Sequence, residues 1–295
     1  MDIPNRYLDT LQSILPNLEV ASLELNREGM VNDVLFVNGE LALRFPKSDK
    51  ARDALEREAR ILDIVCDRVA LQVPRLDHHS AKVASYPLIP GVPLTRDRIH
   101  SLDSADRYAV LGQLGGFLRD LHAIDPVAAT DLPASDAVRT RDDWLSFLAR
   151  VEEVLFPLLF RYQRDWVTSH FAPVVSGELQ LDYEPVLMHG DLAPYHILFD
   201  PAASRISGVI DFGTAGVGDP AIDVACLIYQ YGESTVRKLA RHYPSLGACI
   251  DRARFWAGTL ELQWALAGLV NDDRSLLVAH IGSARDVGLP GTRVT

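Results

Sequence analysis

Apolar and polar residues alternate through the first part of the chain. The stretches 20–25, 33–38 and 40–45 each alternate, and Asn38-Gly39 separates the last two. Alternation is typical of a half-buried strand, and Asn-Gly between two such runs is typical of a hairpin turn. The pattern therefore predicts three antiparallel strands at the start of the chain, with a further strand at 82–86.

The remaining pattern is mostly helical. Residues 4–15 predict a short opening helix, and residues 51–66 predict a longer one with Leu55, Leu62 and Val65 on its apolar face. The Pro- and Gly-rich stretch 86–94 is the best candidate for a boundary between two units. Beyond it, apolar residues at three- and four-residue spacing predict helices within 108–125, 143–170, 221–242, 246–270 and 274–285.

Residues 186–224 carry the candidate chemistry. Two apolar runs end in polar clusters there, the first in His189-Gly190-Asp191 and the second in Asp211-Phe212-Gly213. An apolar run that stops at a charged residue indicates a buried strand with a side chain presented at its end. Two such strands can bring Asp191, His196 and Asp211 around one cleft. Phosphoryl transfer needs this set, a carboxylate for the substrate hydroxyl and two magnesium ligands. The alternative is that both aspartates cap turns.

The segments HGDLAPYHIL, VIDFG and GDPAIDVA resemble the antibiotic phosphotransferases, namely the aminoglycoside phosphotransferases and their macrolide relatives. The resemblance implies an α+β, bilobal protein-kinase-like fold with a small antiparallel-sheet N-lobe, one key helix and a mainly helical C-lobe. It divides the chain into a nucleotide-binding lobe (1–86), a hinge (87–94) and a catalytic and substrate-binding lobe (95–295). It also implies Mg²⁺ as cofactor and GTP or ATP as the phosphoryl donor.

The resemblance gives roles to residues of the motifs. Asp191 is the catalytic residue that orients the hydroxyl and accepts its proton, and Asp211 and His196 bind magnesium. The family usually has Asn at the position of His196. A subset that includes the 2''-type aminoglycoside enzymes and the macrolide enzymes has His. His189 and Asp223 are expected to support the catalytic loop.

Arg44 and Glu58 are the expected partners at the phosphates. Arg44 alternates onto one face of its strand, and the family usually has lysine there. Lys47 is a rival, but it follows Pro46 and leaves the strand pattern. Glu58 lies on the apolar face of helix 51–66 and therefore needs a cationic partner. Arg44 is the obvious one, and a neighbouring arginine is the alternative.

Five further residues are expected to contact the nucleotide. Gly29 and Asn32 lie where a kinase-like fold has its phosphate-covering loop, although the stretch also fits a plain hairpin turn. At the hinge, Pro87 would offer its carbonyl to the base, and Ile89 both its N–H and its carbonyl. Tyr86, at the gatekeeper position, narrows the base pocket and favours GTP. The alternative is that Tyr86 turns into the core and ATP fits normally.

An aminoglycoside is a polycation, so carboxylates should line the acceptor site. The candidates are Asp142, Asp143, Glu233, Glu261 and Asp272, with Trp264 and, less so, Trp256 as an aromatic wall. Glu233 is preferred because it follows the DPAIDVA segment, where family members bind amino sugars. His122, at the end of a predicted helix, is expected to be a packed structural histidine.

Composition narrows the range of possible partners, locations and functions. A formal net charge of −11 argues against nucleic acid or an anionic membrane as partner and suits a cationic antibiotic. The three cysteines form no CxxC pair, so we expect free thiols and a cytoplasmic location. We expect no signal peptide, no membrane span and a monomer. The first hypothesis is an aminoglycoside kinase. The alternatives are a macrolide 2'-phosphotransferase, a homoserine, choline or methylthio-sugar kinase, and a pseudokinase-like binding module.

Overall fold

The computed structural model describes residues 3–29, 31–129 and 139–270. A five-stranded antiparallel sheet opens the chain, in the order β1-β2-β3-β5-β4. Its strands are β1 (Leu23–Asn26), β2 (Asn32–Val37), β3 (Leu41–Pro46), β4 (His78–Ser80) and β5 (Val83–Pro87). The predicted hairpin is confirmed, because Asn38 and Gly39 take φ values of 56° and 67° between β2 and β3.

The alternation along these strands sorts their side chains onto two faces. Leu35, Val37 and Leu43 are buried against Tyr7 and Leu11 of helix α1 (Asn5–Ile14). The opposite face carries the other half of each alternating pattern and turns toward a large cavity. The strand register sets six residues on that cavity face, namely Val34, Phe36, Ala42, Arg44, Ala84 and Tyr86.

Helix α2 (Asp49–Val65) packs beside β3. It begins after Ser48, whose hydroxyl accepts the Ala51 N–H, so the first turn is capped. Its buried face carries Leu55 and Leu62, and Glu58 is buried between them, as the spacing predicts. The sheet and this helix together form the predicted small N-terminal part.

The larger part is mostly helical. Its helices are α3 (Arg96–Ser101), α4 (Ser104–His122), α5 (Arg141–Val154), α6 (Arg161–Ser176), α7 (Ala221–Tyr231), α8 (Glu233–Val236) and α9 (Leu246–Val270). Short 3₁₀ turns cover Pro126–Ala129, Phe156–Leu158 and Arg237–Arg241. Two small sheets pair β7 (Val186–Met188) with β10 (Gly216–Gly218), and β6 (Val92–Pro93) with β8 (Ile197–Asp200) and β9 (Arg205–Val209). The predicted fold class is confirmed.

Two predicted helical regions are interrupted. Region 143–170 breaks at the 3₁₀ turn that contains Pro157, because proline cannot donate the helical hydrogen bond. Region 221–242 breaks at Gly232, whose φ of 81° ends α7. The predicted helix 274–285 lies outside the described residues. The lobe boundaries at 86/87 and 94/95 stay predictions.

The described helices include none with the length and apolar character that crossing a membrane requires.

Candidate active site

The segment after β7 is held by one buried carboxylate. Asp223, in the first turn of α7, accepts the His189 N–H at 2.9 Å and the Gly190 N–H at 2.6 Å. Gly190 has a φ of 83°, and a Cβ there would stand 2.9 Å from the Thr214 carbonyl oxygen. Only glycine fits this turn without displacement. The sequence therefore bends sharply at the end of β7 and presents Asp191 to the cavity.

His122 completes the support. Its Nε2 lies 3.0 Å from Asp223 Oδ2, and its Nδ1 lies 2.8 Å from the Tyr243 hydroxyl. Burial alone would raise the pKa of Asp223, but His122 and the donated backbone N–H groups hold that pKa below its ordinary value. The contacts of His122 and Asp223 are those that a supporting role requires.

His189 is fully buried and fixes the direction of the loop. Its Nε2–H donates to the Ile210 carbonyl at 3.1 Å, and its Nδ1 accepts the Asp191 N–H at 3.2 Å. Burial lowers the pKa of His189, so the ring stays neutral and can accept on one side while it donates on the other. This histidine therefore links the ends of β7 and β9.

Asp191 is the half-exposed carboxylate of this loop, with 42% of its side chain accessible. Burial raises the pKa of Asp191, although His196 and His189 oppose the shift. A carboxylate with a raised pKa is a better proton acceptor than an ordinary one. Asp191 lines the cavity, where a substrate hydroxyl could reach it.

The side chains of His196 and Asp211 lie next to each other in the cavity lining. His196 Nδ1 lies 2.8 Å from the Asp191 carbonyl oxygen, which can only accept, so Nδ1 carries the hydrogen. In the neutral ring this leaves the Nε2 lone pair 3.3 Å from Asp211 Oδ2. Two electron-rich atoms at that distance favour a proton or a metal ion between them. Burial alone would lower the pKa of His196, but the carboxylates of Asp211 and Asp191 raise it.

Asp211 is held in an unusual backbone conformation. Its φ is 65°, which lies in a region of backbone conformation that strains residues other than glycine. Residues strained in this way are concentrated at functional sites. Burial would raise the pKa of Asp211, but the His196 hydrogen bond and the Arg44 guanidinium hold it well below its usual range. Asp211 is therefore a permanent anion facing the cavity.

The donor set fits magnesium bound jointly with phosphates. Among the described residues, no group of three or more His, Cys, Asp or Glu side chains could hold a metal ion by itself. Asp211 and His196 offer one oxygen and one nitrogen ligand. Magnesium at nucleotide sites commonly uses one or two carboxylates, with phosphate oxygens and water for the rest, so Asp211 fits and the nitrogen of His196 is the less usual ligand. Asp211 and His196 therefore suffice for magnesium only when a bound nucleotide supplies phosphate oxygens as further ligands.

The predicted Arg44–Glu58 contact is confirmed. Arg44 Nη1 donates to Glu58 Oε1 at 2.7 Å, and Glu58 is only 2% exposed. The same Oε1 accepts the Phe212 N–H at 3.1 Å, so the pair links the small sheet to the Asp211 segment. The neighbouring Arg57 instead donates to the Gly213 carbonyl at 3.2 Å. The rival Lys47 pairs with Asp33 at 3.3 Å and does not line the large cavity.

These groups line one cavity of about 900 Å³. Strand pairing sets Tyr86 opposite Ala42, on the cavity face next to Arg44, rather than in the core. The predicted site residues that line the cavity are Gly29, Asn32, Arg44, Glu58, Tyr86, Ile89, Asp191, His196, Asp211, Trp256 and Trp264.

Other predicted residues do not line it. Pro87 is exposed and pairs with Leu41 in the sheet, and Leu88 lines the cavity in its place. Asp142 is exposed in the first turn of α5, and Asp143 caps that helix through Thr140. Asp272 lies outside the described residues.

The two glutamates predicted at the acceptor site are buried. Glu233 is 2% exposed and pairs with Arg254 at 2.6 Å and Arg237 at 2.8 Å. The negative charge of Glu233 is balanced by these two arginines, because a buried carboxylate requires cationic partners. Glu261 is 6% exposed and accepts the Tyr229 hydroxyl at 3.0 Å. The prediction that these glutamates line the cavity is wrong.

Several residues at the cavity were missed by the sequence analysis. Arg139 stands in a stretch that looks polar and irregular, directly before the N-cap Thr140 of α5. No short-range signal marks it, because its partners come from α5 and α9. The missed cavity residues include Arg57, Arg139, Tyr195, Cys226, Tyr229 and Gln263.

A substrate-sized cavity, a supported carboxylate and an arginine–glutamate pair are the arrangement expected of a phosphotransferase site. Residues 22–256 match the model of the phosphotransferase enzyme family, and the chain belongs to this family. It is 28% identical to viomycin phosphotransferase of Streptomyces vinaceus over 302 residues, which covers 97% of this chain and 100% of the relative.

Solved structures give the same class. The GDP and kanamycin complex of APH(2")-IIia superposes with a TM-score of 0.82 at 26% identity, over 93% of this chain and 95% of that one. A macrolide 2'-phosphotransferase from Brachybacterium faecium superposes with a TM-score of 0.73 at 21% identity, over 98% and 100%, and supports the fold. The chain is thus a relative of antibiotic phosphotransferases, kinases that act on hydroxyl groups.

Proposed function

We propose that the protein transfers the γ-phosphoryl group of GTP or ATP to a hydroxyl group of an antibiotic, with Mg²⁺ as its cofactor. One observation carries the proposal. Asp191, the His196–Asp211 pair and the Arg44–Glu58 pair all converge on a single cavity. Phosphoryl transfer requires these parts and little covalent chemistry from the protein.

Asp191 orients the attacking hydroxyl and accepts its proton. Its raised pKa suits this role, and the His189–Asp223 support fixes its position. A correctly placed base contributes about 10²–10⁴ in rate. Asp191 is therefore the catalytic residue in this proposal.

Asp211 and His196 would hold the magnesium ion. When bound, the ion neutralises charge on the nucleotide phosphates. The orientation of His196 supports this assignment. Its Nδ1–H donates to the Asp191 carbonyl, so its Nε2 points toward Asp211 and is free to bind a metal ion.

Arg44 steadies the nucleotide phosphates. Glu58 and Asp211 fix its guanidinium from two sides, at 2.7 Å and 3.8 Å. A guanidinium held in this way can donate to a phosphate without losing further side-chain freedom. Gly29, Asn32, Tyr86 and Ile89 line the same cavity. In this proposal the first two contact the phosphates, and the last two contact the base.

The acceptor is proposed to be an antibiotic. The viomycin and kanamycin relatives support cationic compounds, and so does the net charge of −11, with an aminoglycoside as the first candidate. A macrolide is the second candidate. It is favoured because the described carboxylates that line the cavity are limited to Glu58, Asp191 and Asp211, whereas a polycation should be surrounded by several carboxylates.

The remaining features of the proposal concern the whole molecule. Residues 87–94 act as the hinge between the nucleotide lobe and the catalytic lobe. The three cysteines are free, which supports a reducing, cytoplasmic environment. The enzyme acts as a monomer on small molecules and does not bind nucleic acid.

A screen tests the proposed function. Purified protein is incubated with ATP or GTP, Mg²⁺ and a panel of aminoglycosides, macrolides, viomycin and small hydroxyl metabolites, and products are weighed by mass spectrometry. We expect an antibiotic product that has gained one phosphoryl group. Phosphorylation of a metabolite alone, or transfer of the nucleotidyl group, would contradict the proposal.

A further inference from the structure

Arg139 is a cation set among aromatic rings at the end of the cavity away from the sheet. Its guanidinium carbon lies 4.9 Å from the ring centre of Trp144, 5.2 Å from that of Phe147 and 5.8 Å from that of Trp256. Its Nη2 donates to the Gln263 side-chain oxygen at 3.2 Å. Rings on several sides hold the guanidinium in place.

No carboxylate of the described residues forms an ion pair with Arg139. The charged group that acts on the pKa of Arg139 is Asp143, whose carboxylate already accepts the Thr140 N–H at 2.7 Å and the Thr140 hydroxyl at 2.6 Å. The Nε of Arg139 is buried and has no hydrogen-bond partner in the described part of the chain. Burial lowers the pKa of Arg139, and Asp143 offsets this only in part. A guanidinium offers five N–H donors and stays protonated, so most of its donors have no partner among the described residues.

The acceptor half of the cavity is the part lined by α7, α9 and Arg139. Its described lining is aromatic, apolar or amide-bearing, with Trp256, Trp264, Leu260 and Gln263 as the main contributors. A polycation at this wall would meet the like charge of Arg139, and no carboxylate of the described residues lines this half of the cavity to compensate it. An acceptor with carbonyl oxygens and an apolar face meets a donor and aromatic rings.

Resting on the proposed function, we propose that Arg139 is a specificity-determining residue. It donates to a carbonyl or carboxylate oxygen of the acceptor antibiotic, while Trp256 and Trp264 pack against an apolar face of the same molecule. Of the two acceptor candidates, this wall therefore favours the second, a weakly cationic, oxygen-rich antibiotic of the macrolide type, over an aminoglycoside that presents several ammonium groups to it.

Matched ligands and variants test the proposal. Calorimetry measures binding of kanamycin, of per-N-acetylated kanamycin and of erythromycin, each in the presence of a non-hydrolysable nucleotide and Mg²⁺. N-acetylation replaces ammonium groups by amide carbonyls on one scaffold. The variants are Arg139→Met, which keeps the apolar stem, and Arg139→Lys, which keeps the charge. The control is Arg141→Met, because Arg141 donates to the Val174 and Val175 carbonyls, which do not line the cavity.

The wild type should bind at least one carbonyl ligand more tightly than kanamycin. Arg139→Met should weaken that ligand at least about tenfold, equivalent to about 1.4 kcal/mol, and leave kanamycin unchanged or tighter. Arg139→Lys should lie between, and Arg141→Met should match the wild type. Should Arg139→Met fail to fold, Arg139→Lys decides by the ratio of the two affinities.

Three outcomes would overturn the proposal. In the first, the wild type binds kanamycin most tightly of the three ligands. In the second, a folded Arg139 variant keeps the wild-type ratio of carbonyl-ligand affinity to kanamycin affinity. In the third, none of the three ligands binds. Phosphoryl transfer is measured separately on the same samples. Binding that follows Arg139 without any transfer would sink the proposed function and leave the specificity assignment standing. Transfer without an Arg139 effect would do the reverse.

Discussion

Replacing Asp223 with asparagine tests how the catalytic loop is held. The carboxylate is fully buried and accepts two backbone N–H groups, at 2.9 Å from His189 and 2.6 Å from Gly190. Asparagine has nearly the same shape but only one accepting oxygen. In one orientation its NH₂ group faces the Gly190 N–H, and in the other it faces both the His189 N–H and His122 Nε2, so one backbone N–H loses its acceptor in either case.

The magnitude follows from the bonds that are lost. A hydrogen bond to a charged group is worth about 1.5–3 kcal/mol, and at least one of the two is removed. We therefore expect the free energy of unfolding to fall by about 1.5–3 kcal/mol. Because Asp191 follows this turn directly, kcat should fall by more than about tenfold, while the nucleotide Kd changes little.

Urea unfolding and initial-rate kinetics measure the two effects. Asp200→Asn is the matched control, because Asp200 also accepts two backbone N–H groups, from Ala202 and Ala203, in an exposed turn that does not line the cavity. Its effect should stay within about 0.5 kcal/mol. Equal effects of the two substitutions on stability and rate would refute the reasoning.

The pH dependence has a defined sign. The pKa of Asp223 is lowered in the folded protein by His122 and the backbone N–H groups, which outweigh burial. Its stabilisation is therefore fully present above the unfolded carboxyl pKa of about 3.9 and is lost as pH falls through the folded value. The stability gap between wild type and Asp223→Asn should be constant from about pH 5 to 8 and shrink in acid. A gap that widens in acid would contradict this assignment.

Three other substitutions probe the nucleotide end. Glu58→Gln should raise the nucleotide KM about tenfold, because Arg44 loses its charged partner; an unchanged KM would separate this pair from phosphate binding. His196→Ala should raise the Mg²⁺ requirement more than the acceptor KM, and an unchanged Mg²⁺ titration would show that the histidine only packs. Wild type should use GTP at least as well as ATP, and Tyr86→Ala should narrow the gap, as kcat/KM for both nucleotides will reveal. ATP preference that ignores the substitution would contradict a role for Tyr86 in base selection.

The Arg44–Glu58 contact could be predicted because each residue is fixed by a regular period. Alternation on β3 sets the face of Arg44, and three- and four-residue spacing on α2 sets the face of Glu58. A charge on an apolar face needs a partner, so two local patterns predict one long-range contact. The structure gives that contact at 2.7 Å.

The acceptor wall could not be predicted in the same way. Glu233 looks exposed from local sequence, yet Arg254, 21 residues further on, buries it in an ion pair. Arg139 looks like a loop charge, yet its partner Gln263 is 124 residues away. Both depend on how α9 packs, which no local period specifies. The helix break at Gly232 is similar, because a glycine inside an apolar pattern does not by itself show a positive φ.

Phosphoryl transfer by Asp191→Ala tests the central claim most directly. The rate of phosphorylated antibiotic formation and the nucleotide Kd are measured for wild type and variant with the same acceptor. The account predicts that kcat falls by about 10²–10⁴ while the nucleotide still binds. A kcat within a few-fold of wild type, with the nucleotide bound normally, would contradict it.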